Sequence, residues 1–215
     1  MLLQAFERVE QCDPVLLPQV FGVFLEATLE IGEGQQLDVE FEKRNDVTED
    51  EYIEMIRLKT SVLLASAVKM GAILAGASLE DAETLYKFGE MIGLAFQLQD
   101  DLLDVYGDPK VFGKNIGGDI TSNKKTYMLI NAFNLANEKQ RSELSKWIDA
   151  QVFERNEKVQ AVTTLYDEIG IRQLCEQKID FYYEKALHYL EKVKVSEERK
   201  SELRAYAAAM MKRQS

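Results

Sequence analysis

Proline, cysteine and histidine are scarce in this 215-residue sequence, which has three prolines, two cysteines and one histidine. Cys12 and Cys175 are too few and too far apart for a disulfide framework. We expect reduced thiols in a cytoplasmic protein, with a single disulfide as the alternative. Without a cluster of cysteine and histidine a zinc site is excluded. The lone His188 is expected to pack or to face solvent rather than to bind a metal.

Positive charge is also scarce, because 26 lysines and arginines stand against 37 acidic residues, a net charge of -11. No basic stripe is available to neutralise a phosphate backbone, which argues against binding of nucleic acid. An anionic ligand would therefore have to be held by local lysines or by a metal. The apolar share of 46% is typical of a folded chain, and the length suits one domain over residues 1–215.

Long hydrophobic runs and signal-like segments are lacking as well. The most apolar segment, residues 62–77, carries Lys69 at its centre and falls short of the ~20 apolar residues that span a bilayer. It predicts a buried helix and no membrane span. The chain opens on Met1-Leu2-Leu3 and continues directly into polar residues, without the pattern of a cleavable signal and without a preceding helix cap.

Apolar residues recur at helical spacing almost throughout, and no alternating strand pattern occurs, so the fold class is all-α. Thr48 and Glu51 form a capping-box pattern, and Ser78 caps a helix that should end near Tyr106. Residues 107–123 form the single long stretch expected to be irregular. Helices are predicted for about 17–41, from 49 past 64, and for 79–106, 124–137, 138–148, 156–169, 171–192 and 197–211. Core packing is expected for the aromatic residues Trp147, Phe181, Tyr182 and Tyr183.

Three carboxylates, Asp100, Asp101 and Asp104, occur in a segment that otherwise has the apolar character of a buried helix. No basic residue lies between Lys87 and Lys110 to neutralise them. At 100° per residue two of the acids are stacked, the third lies beside them, and Gln97 sits one turn earlier. Such oxygen ligands suit Mg²⁺, which takes one or two carboxylates and completes its octahedron with phosphates and water. The alternative is an acidic face that is merely solvated.

The stretch that follows the carboxylates contains several lysines and glycines. The lysines can pair with phosphate oxygens, and the glycines allow close approach of the backbone to a ligand. This is not a nucleotide P-loop, because Asn115 stands where Ser or Thr should follow Lys114. The combination predicts a diphosphate site, for which Lys59-Thr60 is a further candidate clamp; alone, that lysine would be taken as solvated. The stretch contains Lys110, Gly113, Lys114, Gly117, Gly118, Asp119, Lys124 and Lys125.

Several short motifs occur in an order and at separations that resemble the trans-isoprenyl diphosphate synthases, also called polyprenyl synthetases, such as farnesyl and geranylgeranyl diphosphate synthases. The resemblance covers residues 1 to about 130 closely and continues into a compatible helical tail. The motifs are Gly34-Gln35-Gln36-Leu37-Asp38, Lys59-Thr60, Gly89 through Asp104, Gly113-Lys114, Gly118-Asp119 and Asn123-Lys124-Lys125-Thr126.

The resemblance implies a helical bundle of the isoprenoid (terpenoid) synthase type and the Mg²⁺-dependent condensation of an allylic diphosphate with isopentenyl diphosphate. By this resemblance Asp100, Asp101 and Asp104 form the second aspartate-rich motif, which binds Mg²⁺. The diphosphate would be bound, as part of catalysis, by Lys59, Lys114 and Lys124. The allylic substrate site would be lined by Thr60 and Gln97, and the supporting residues would be Gln36 and Asp38.

The 215 residues lack the family's first aspartate-rich motif, the arginine pair after it and an upstream Gly-Lys-Arg element. We therefore expect the C-terminal portion of an N-terminally truncated synthase, inactive alone and with exposed apolar surface. The resemblance also implies a homodimer formed largely through residues 1–40. Two alternatives stay open: a non-catalytic or regulatory subunit that retains the diphosphate pocket, and a helical bundle whose acids only face solvent.

Overall fold

Every regular segment is helical in the computed structural model, which describes residues 2–108 and 116–212. The first half of the chain forms α1 to α5, and a π-helical segment connects α3 directly to α4. The second half forms α6 to α11. In chain order the elements are α1 (Leu2–Glu10), α2 (Leu17–Phe41), α3 (Glu49–Ile56), the π segment (Arg57–Ser61), α4 (Val62–Leu74), α5 (Leu79–Tyr106), α6 (Gly118–Thr121), α7 (Tyr127–Leu135), α8 (Glu138–Asp149), α9 (Arg155–Ile169), α10 (Ile171–Lys192) and α11 (Glu197–Met211).

Helix α5 is the centre of the bundle and packs against α4, the π segment and α10. Two glycines allow the closest of these approaches. A Cβ built on Gly93 would lie 2.5 Å from the Cα of Ser61, and one on Gly89 would lie 2.7 Å from the Cα of Ala65. The buried residues around α5 form a continuous hydrophobic cluster that extends into α7, α9 and α10. The helix that carries the three carboxylates is therefore held on several sides.

The helix that begins at Glu49 starts as predicted but is not regular throughout. The capping box is confirmed, because Thr48 Oγ1 accepts from the Glu51 amide at 3.2 Å while Glu51 Oε2 accepts from the Thr48 amide at 2.8 Å. Residues 57–61 are π-helical, which the sequence reading did not foresee. Gly34 of α2 lies directly against this segment, because a Cβ at that position would overlap the backbone nitrogen of Lys59.

Three predictions for the second half were wrong. The stretch 107–123 contains a one-turn helix, α6, where an irregular chain was expected. The helix predicted from Lys124 begins at Tyr127, because Thr126 is its N-cap and its Oγ1 accepts from the Leu129 amide. That helix ends at Leu135 rather than near 137, where the side chain of Asn137 caps α8. Residues 109–115, with Lys110, Gly113 and Lys114, lie outside the described residues.

The aromatic residues expected in the core divide into two groups. Tyr182 is buried, and Trp147 and Tyr183 are partly buried against the core cluster. Phe181 is 53% exposed and packs edge-on against Tyr182, so the core prediction was wrong for this residue. The helix α10 is 22 residues long and turns only part of its circumference to the bundle, which leaves position 181 on its outer side.

Part of the exposed apolar surface forms a stripe along α2. Phe21, Leu25 and Leu29, spaced four residues apart along one face, are 39%, 40% and 61% exposed. His188 is exposed, as the sequence allowed. Within the described part of the chain, none of the helices combines the length and apolar character needed to cross a membrane.

Candidate active site

Asp101 lies on the inner side of the α5 carboxylate row and is 2% exposed. The Tyr52 hydroxyl donates a hydrogen bond to Asp101 Oδ2, and Gln97 Nε2 donates to Oδ1 at 3.2 Å. Burial raises the pKa of the Asp101 carboxyl, while Lys124, Tyr52 and Gln97 act in the opposite direction. Asp100 and Asp104, on the neighbouring face of the helix, are only partly buried. The three acids predicted as one set therefore have different surroundings.

Asp104 fixes the segment that follows α5. Its Oδ2 accepts from the Asp119 amide at 2.8 Å, and its main-chain oxygen accepts from the Gly117 amide at 2.5 Å. Gly117 has a left-handed backbone with φ of 77°, and a Cβ on Gly118 would lie 3.2 Å from Asp104 Oδ1. The left-handed backbone favours glycine at position 117, and the absence of a side chain at Gly118 leaves room for the Asp104 carboxylate, in line with the role that the sequence suggested for glycines in this stretch. The result is that Asp119 is held beside the carboxylate row.

Lys124 lies between two carboxylates. Its Nζ is 3.5 Å from Asp101 Oδ1 and 3.3 Å from Asp119 Oδ2. Burial acts to lower the pKa of Lys124, but Asp101 and Asp119 outweigh it and raise that pKa. Burial also raises the pKa of Asp119 to about 6, against the opposing effect of Lys124 and with the help of Asp101 and Asp104. The lysine is therefore a fixed, protonated cation at the edge of the carboxylate row.

The π segment presents Lys59 and Thr60 to the same region. Thr60 Oγ1 donates to Gln97 Oε1 at 3.0 Å, and Gln97 in turn donates to Asp101. Lys59 Nζ pairs with Asp38 Oδ2 of α2 at 2.6 Å. A chain of polar contacts thus runs from the π segment through α5 to Lys124. Extra turns of this kind are frequent at functional sites.

An open cleft of about 430 Å³ lies between the C-terminal part of α2 and the segment that precedes α7. Asp38 and Lys124 both line this cleft, and the negative charge of Asp38 adds to the rise in the Lys124 pKa. Of the predicted lysines, Lys59 and Lys124 are brought to this region, whereas Lys114 lies outside the described residues. The lining residues are Asp38, Phe41, Glu42, Ser122, Asn123, Lys124 and Lys125.

The donor set fits Mg²⁺ only when the metal is shared with another oxygen ligand. Among residues 2–108 and 116–212, no group of three His, Cys, Asp or Glu side chains is gathered closely enough to enclose a metal ion. Asp101 is almost fully buried, whereas Asp100 and Asp104 are the carboxylates of the row that remain partly exposed. One or two carboxylates completed by phosphate oxygens and water is the usual Mg²⁺ arrangement. The residues present therefore suit a metal–diphosphate complex better than a bare ion.

Three residues of the site region were not identified from the sequence. Tyr52 has the spacing of an ordinary core residue, and nothing near it in sequence signals its bond to Asp101. Asn123 was noted only as part of a motif, yet it has a left-handed backbone with φ of 55°. Lys158 offered a signal, because it occupies a position four residues before Val162 on the buried stripe of α9. A lysine on such a stripe needs a buried partner.

The sequence model of the family described as Polyprenyl synthetase matches residues 1–167 of this chain. A geranylgeranyl diphosphate synthase of Methanosarcina mazei is 38% identical over 194 residues, which are 89% of this chain and 55% of that protein. A short chain isoprenyl diphosphate synthase of Methanothermobacter thermautotrophicus is 44% identical over 142 residues, 66% of this chain and 44% of that protein. The chain thus spans about half the length of the curated relatives it matches.

Solved structures give the same fold. A crystal structure of a geranylgeranyl pyrophosphate synthase has a TM-score of 0.92 and 39% identity, over 99% of this chain and 66% of that one. A geranylgeranyl pyrophosphate synthase from Corynebacterium glutamicum, complexed with isoprenyl diphosphate and magnesium, has a TM-score of 0.85 and 28% identity, over 94% and 57% of the two chains. The predicted all-α fold of the isoprenoid synthase type is confirmed.

Proposed function

Because the chain belongs to the polyprenyl synthetase family, we propose that it forms the part of an isoprenyl diphosphate synthase that binds an allylic diphosphate together with Mg²⁺. The observation that carries this proposal is the position of Lys124, a protonated cation that lies 3.5 Å from Asp101 and 3.3 Å from Asp119 and also lines the cleft next to α2. Cation and carboxylates side by side suit a ligand that brings both negative charge and a metal.

Each predicted site residue receives a role in this proposal. Asp100 and Asp104 bind Mg²⁺, and the contacts of Asp101 favour a supporting role for this third predicted ligand. Lys59 and Lys124 bind the diphosphate oxygens, together with the predicted Lys114. Thr60 and Gln97 line the site of the allylic group, and Asp38 holds Lys59 in place.

The proposed reaction is the condensation of the allylic diphosphate with isopentenyl diphosphate. The bond between the allylic carbon and the diphosphate oxygen breaks, and the lysines stabilise the negative charge that develops on the departing diphosphate. When bound, Mg²⁺ would neutralise part of that charge as a Lewis acid. The alkene of isopentenyl diphosphate then attacks the allylic cation, and a proton is lost to leave a new double bond. Apolar walls must exclude water, which would otherwise capture the cation.

Assembly and location complete the proposal. The exposed stripe of Phe21, Leu25 and Leu29 on α2 is the surface through which we propose a homodimer. Cys12 and Cys175 are both free thiols, which supports a reducing, cytoplasmic compartment. The continuous core cluster supports one domain over residues 1–215.

The names of the relatives favour a synthase over a non-catalytic subunit. Because the first aspartate-rich motif is not among the 215 residues, we expect this polypeptide alone to bind diphosphate without turning it over. A turnover assay with allylic and isopentenyl diphosphates measures this directly. Robust product formation by the 215-residue chain would contradict the expected need for the second carboxylate set.

Binding is tested by calorimetric titration of the full chain with inorganic pyrophosphate in excess Mg²⁺. We expect saturable binding that depends on Mg²⁺ and weakens at least ~10-fold in Asp100→Asn, because one metal ligand is lost. Asp180→Asn, an exposed aspartate of α10, is the matched control and should bind as the natural chain does. Absence of binding by the natural chain would favour the alternative that the acids of α5 only face solvent.

A further inference from the structure

The first two turns of α9 contact the segment between α5 and α7 at three points. Arg155 Nη2 donates to the Ile116 carbonyl at 2.7 Å. Val159 packs so tightly on Gly117 that a Cβ there would lie 2.6 Å from its Cγ2. Lys158 Nζ donates to Asn123 Oδ1 at 2.6 Å. Positions 155, 158 and 159 share one helical face, so α9 supports both ends of the segment that carries Asp119.

Lys158 is the unusual member of this face, since its relative exposure is 0%. Burial of an ammonium group is costly unless the group is paired and hydrogen-bonded. Within residues 2–108 and 116–212 its ammonium forms no ion pair; it has Asn123 as acceptor and lies 4.2 Å from the centroid of the Phe153 ring. Among the described residues, Asn123 is the hydrogen-bond acceptor of this buried ammonium and Phe153 is its aromatic neighbour, so Lys158 and the Asn123 amide hold each other in place.

Asn123 is the residue that the ammonium holds. Its backbone is left-handed, with φ of 55°, a conformation that asparagine adopts more readily than most residues with a Cβ because its side chain can form local hydrogen bonds. Both ends of its side-chain amide are fixed, because Oδ1 accepts from Lys158 and Nδ2 donates to the Ile148 carbonyl at 2.9 Å. The chain then continues directly into Lys124, whose ammonium reaches Asp101 and Asp119.

We propose that Lys158 is a positioning residue for the diphosphate site, holding Asn123 in its left-handed conformation and thereby placing the Lys124 ammonium between Asp101 and Asp119. Lys158 does not touch the cleft itself. It acts through Asn123, which directly precedes Lys124 in the chain. This inference rests on the proposed function, because it assigns Lys158 to the support of Lys124, the lysine proposed to bind diphosphate.

The test compares pyrophosphate affinity in excess Mg²⁺ across a double-mutant cycle on the full chain. Lys158→Met keeps the bulk of the side chain and removes the donor, and we expect it to weaken affinity about tenfold. If Lys158 acts through Lys124, the Lys124→Met/Lys158→Met double variant should bind pyrophosphate less than ~2-fold more weakly than Lys124→Met alone. Lys200→Met is the matched control, because Lys200 is also buried but bonds to Glu191 and Glu197 on α10 and α11.

Each outcome decides between distinct conclusions. Two results would overturn the positioning role and leave the proposed function intact. One is a Lys158→Met variant that binds pyrophosphate as tightly as the natural chain. The other is a double variant whose pyrophosphate affinity is a further tenfold below that of Lys124→Met. Failure of the natural chain to bind pyrophosphate would overturn both. If Lys158→Met does not fold, Asn123→Gly decides: glycine accepts the left-handed backbone but has no amide to hold. We expect it to lose affinity to a similar extent, and unchanged affinity would refute the proposal.

Discussion

Substitution of Gly93 by alanine tests whether the close contact between α5 and the π segment is as rigid as the structure indicates. A Cβ at Gly93 would lie 2.5 Å from Ser61 Cα and 2.8 Å from Ser61 Oγ. The obstacle is mainly backbone held in a helix, so it cannot turn aside as a flexible side chain would. Overpacking of this kind costs ~1–3 kcal/mol. Alanine also gains about 1 kcal/mol over glycine in helix propensity.

Because the contact is so short, we take the upper part of the overpacking range and subtract the gain in helix propensity. The expected result for Gly93→Ala is a free energy of unfolding lower by about 1–2 kcal/mol. In a chain of this size that corresponds to a fall in melting temperature of ~2–8 °C. The matched control is Gly71→Ala on α4, where a Cβ would meet nothing within 4 Å. There the propensity gain stands alone, and we expect stabilisation of ~0.5–1 kcal/mol.

Urea denaturation followed by circular dichroism measures both variants. Opposite signs for the two glycines are the expected result. A Gly93→Ala variant as stable as Gly71→Ala would refute the reasoning, because the π segment would then have yielded at no cost. A second readout is pyrophosphate affinity, which should fall in Gly93→Ala because Thr60 and its bond to Gln97 lie beside the displaced Ser61.

Three further expectations follow from contacts of the site and of α2. Tyr52→Phe removes a buried donor from Asp101 and should lower the free energy of unfolding by ~1–3 kcal/mol in urea denaturation; no change would mean that the other donors satisfy the carboxylate. Because burial raises the Asp119 pKa from 3.8 to about 6, the native state binds that proton more tightly than the unfolded chain does, so stability should fall as the pH rises through this window. Asp119→Asn should flatten this slope in denaturation curves measured with EDTA, and an unchanged slope would assign it to other groups. Leu29→Glu on the exposed stripe should shift the protein to monomer in sedimentation velocity; an unaltered dimer would place the interface elsewhere.

Local patterns predicted the features that depend on near neighbours in sequence. The capping box at Thr48, the end of α5 at Tyr106 and the juxtaposition of Asp100 with Asp104 all follow from helical spacing and hydrogen bonds within a few residues. The start of α7 was also locally signalled by Thr126, but the apolar periodicity around it was extended too far towards Lys124. Such errors arise because periodicity locates a helix better than it locates its ends.

Contacts between distant residues could not be read from the sequence. Tyr52 and Asp101 are 49 positions apart, and a tyrosine at a core spacing gives no sign that its hydroxyl meets a carboxylate. Nothing within residues 57–61 specifies a π turn. The room for its backbone is left by Gly34 of α2 and Gly93 of α5. The distinction between Asp101 and its two neighbours likewise emerges only from the burial that the folded chain imposes.

The π segment has a consequence for how this helix can tolerate insertions and deletions. Its wider turn accommodates about one residue more than a regular α-helix would. Removing that extra residue would restore regular hydrogen bonding and leave α3 and α4 in nearly the same relative rotation. Deleting one residue from the regular turn between Tyr52 and Arg57 would instead rotate Tyr52 by about 100° relative to α4 and turn it away from Asp101. The loss of one residue is therefore tolerated within the wider turn and not in the regular helix beside it.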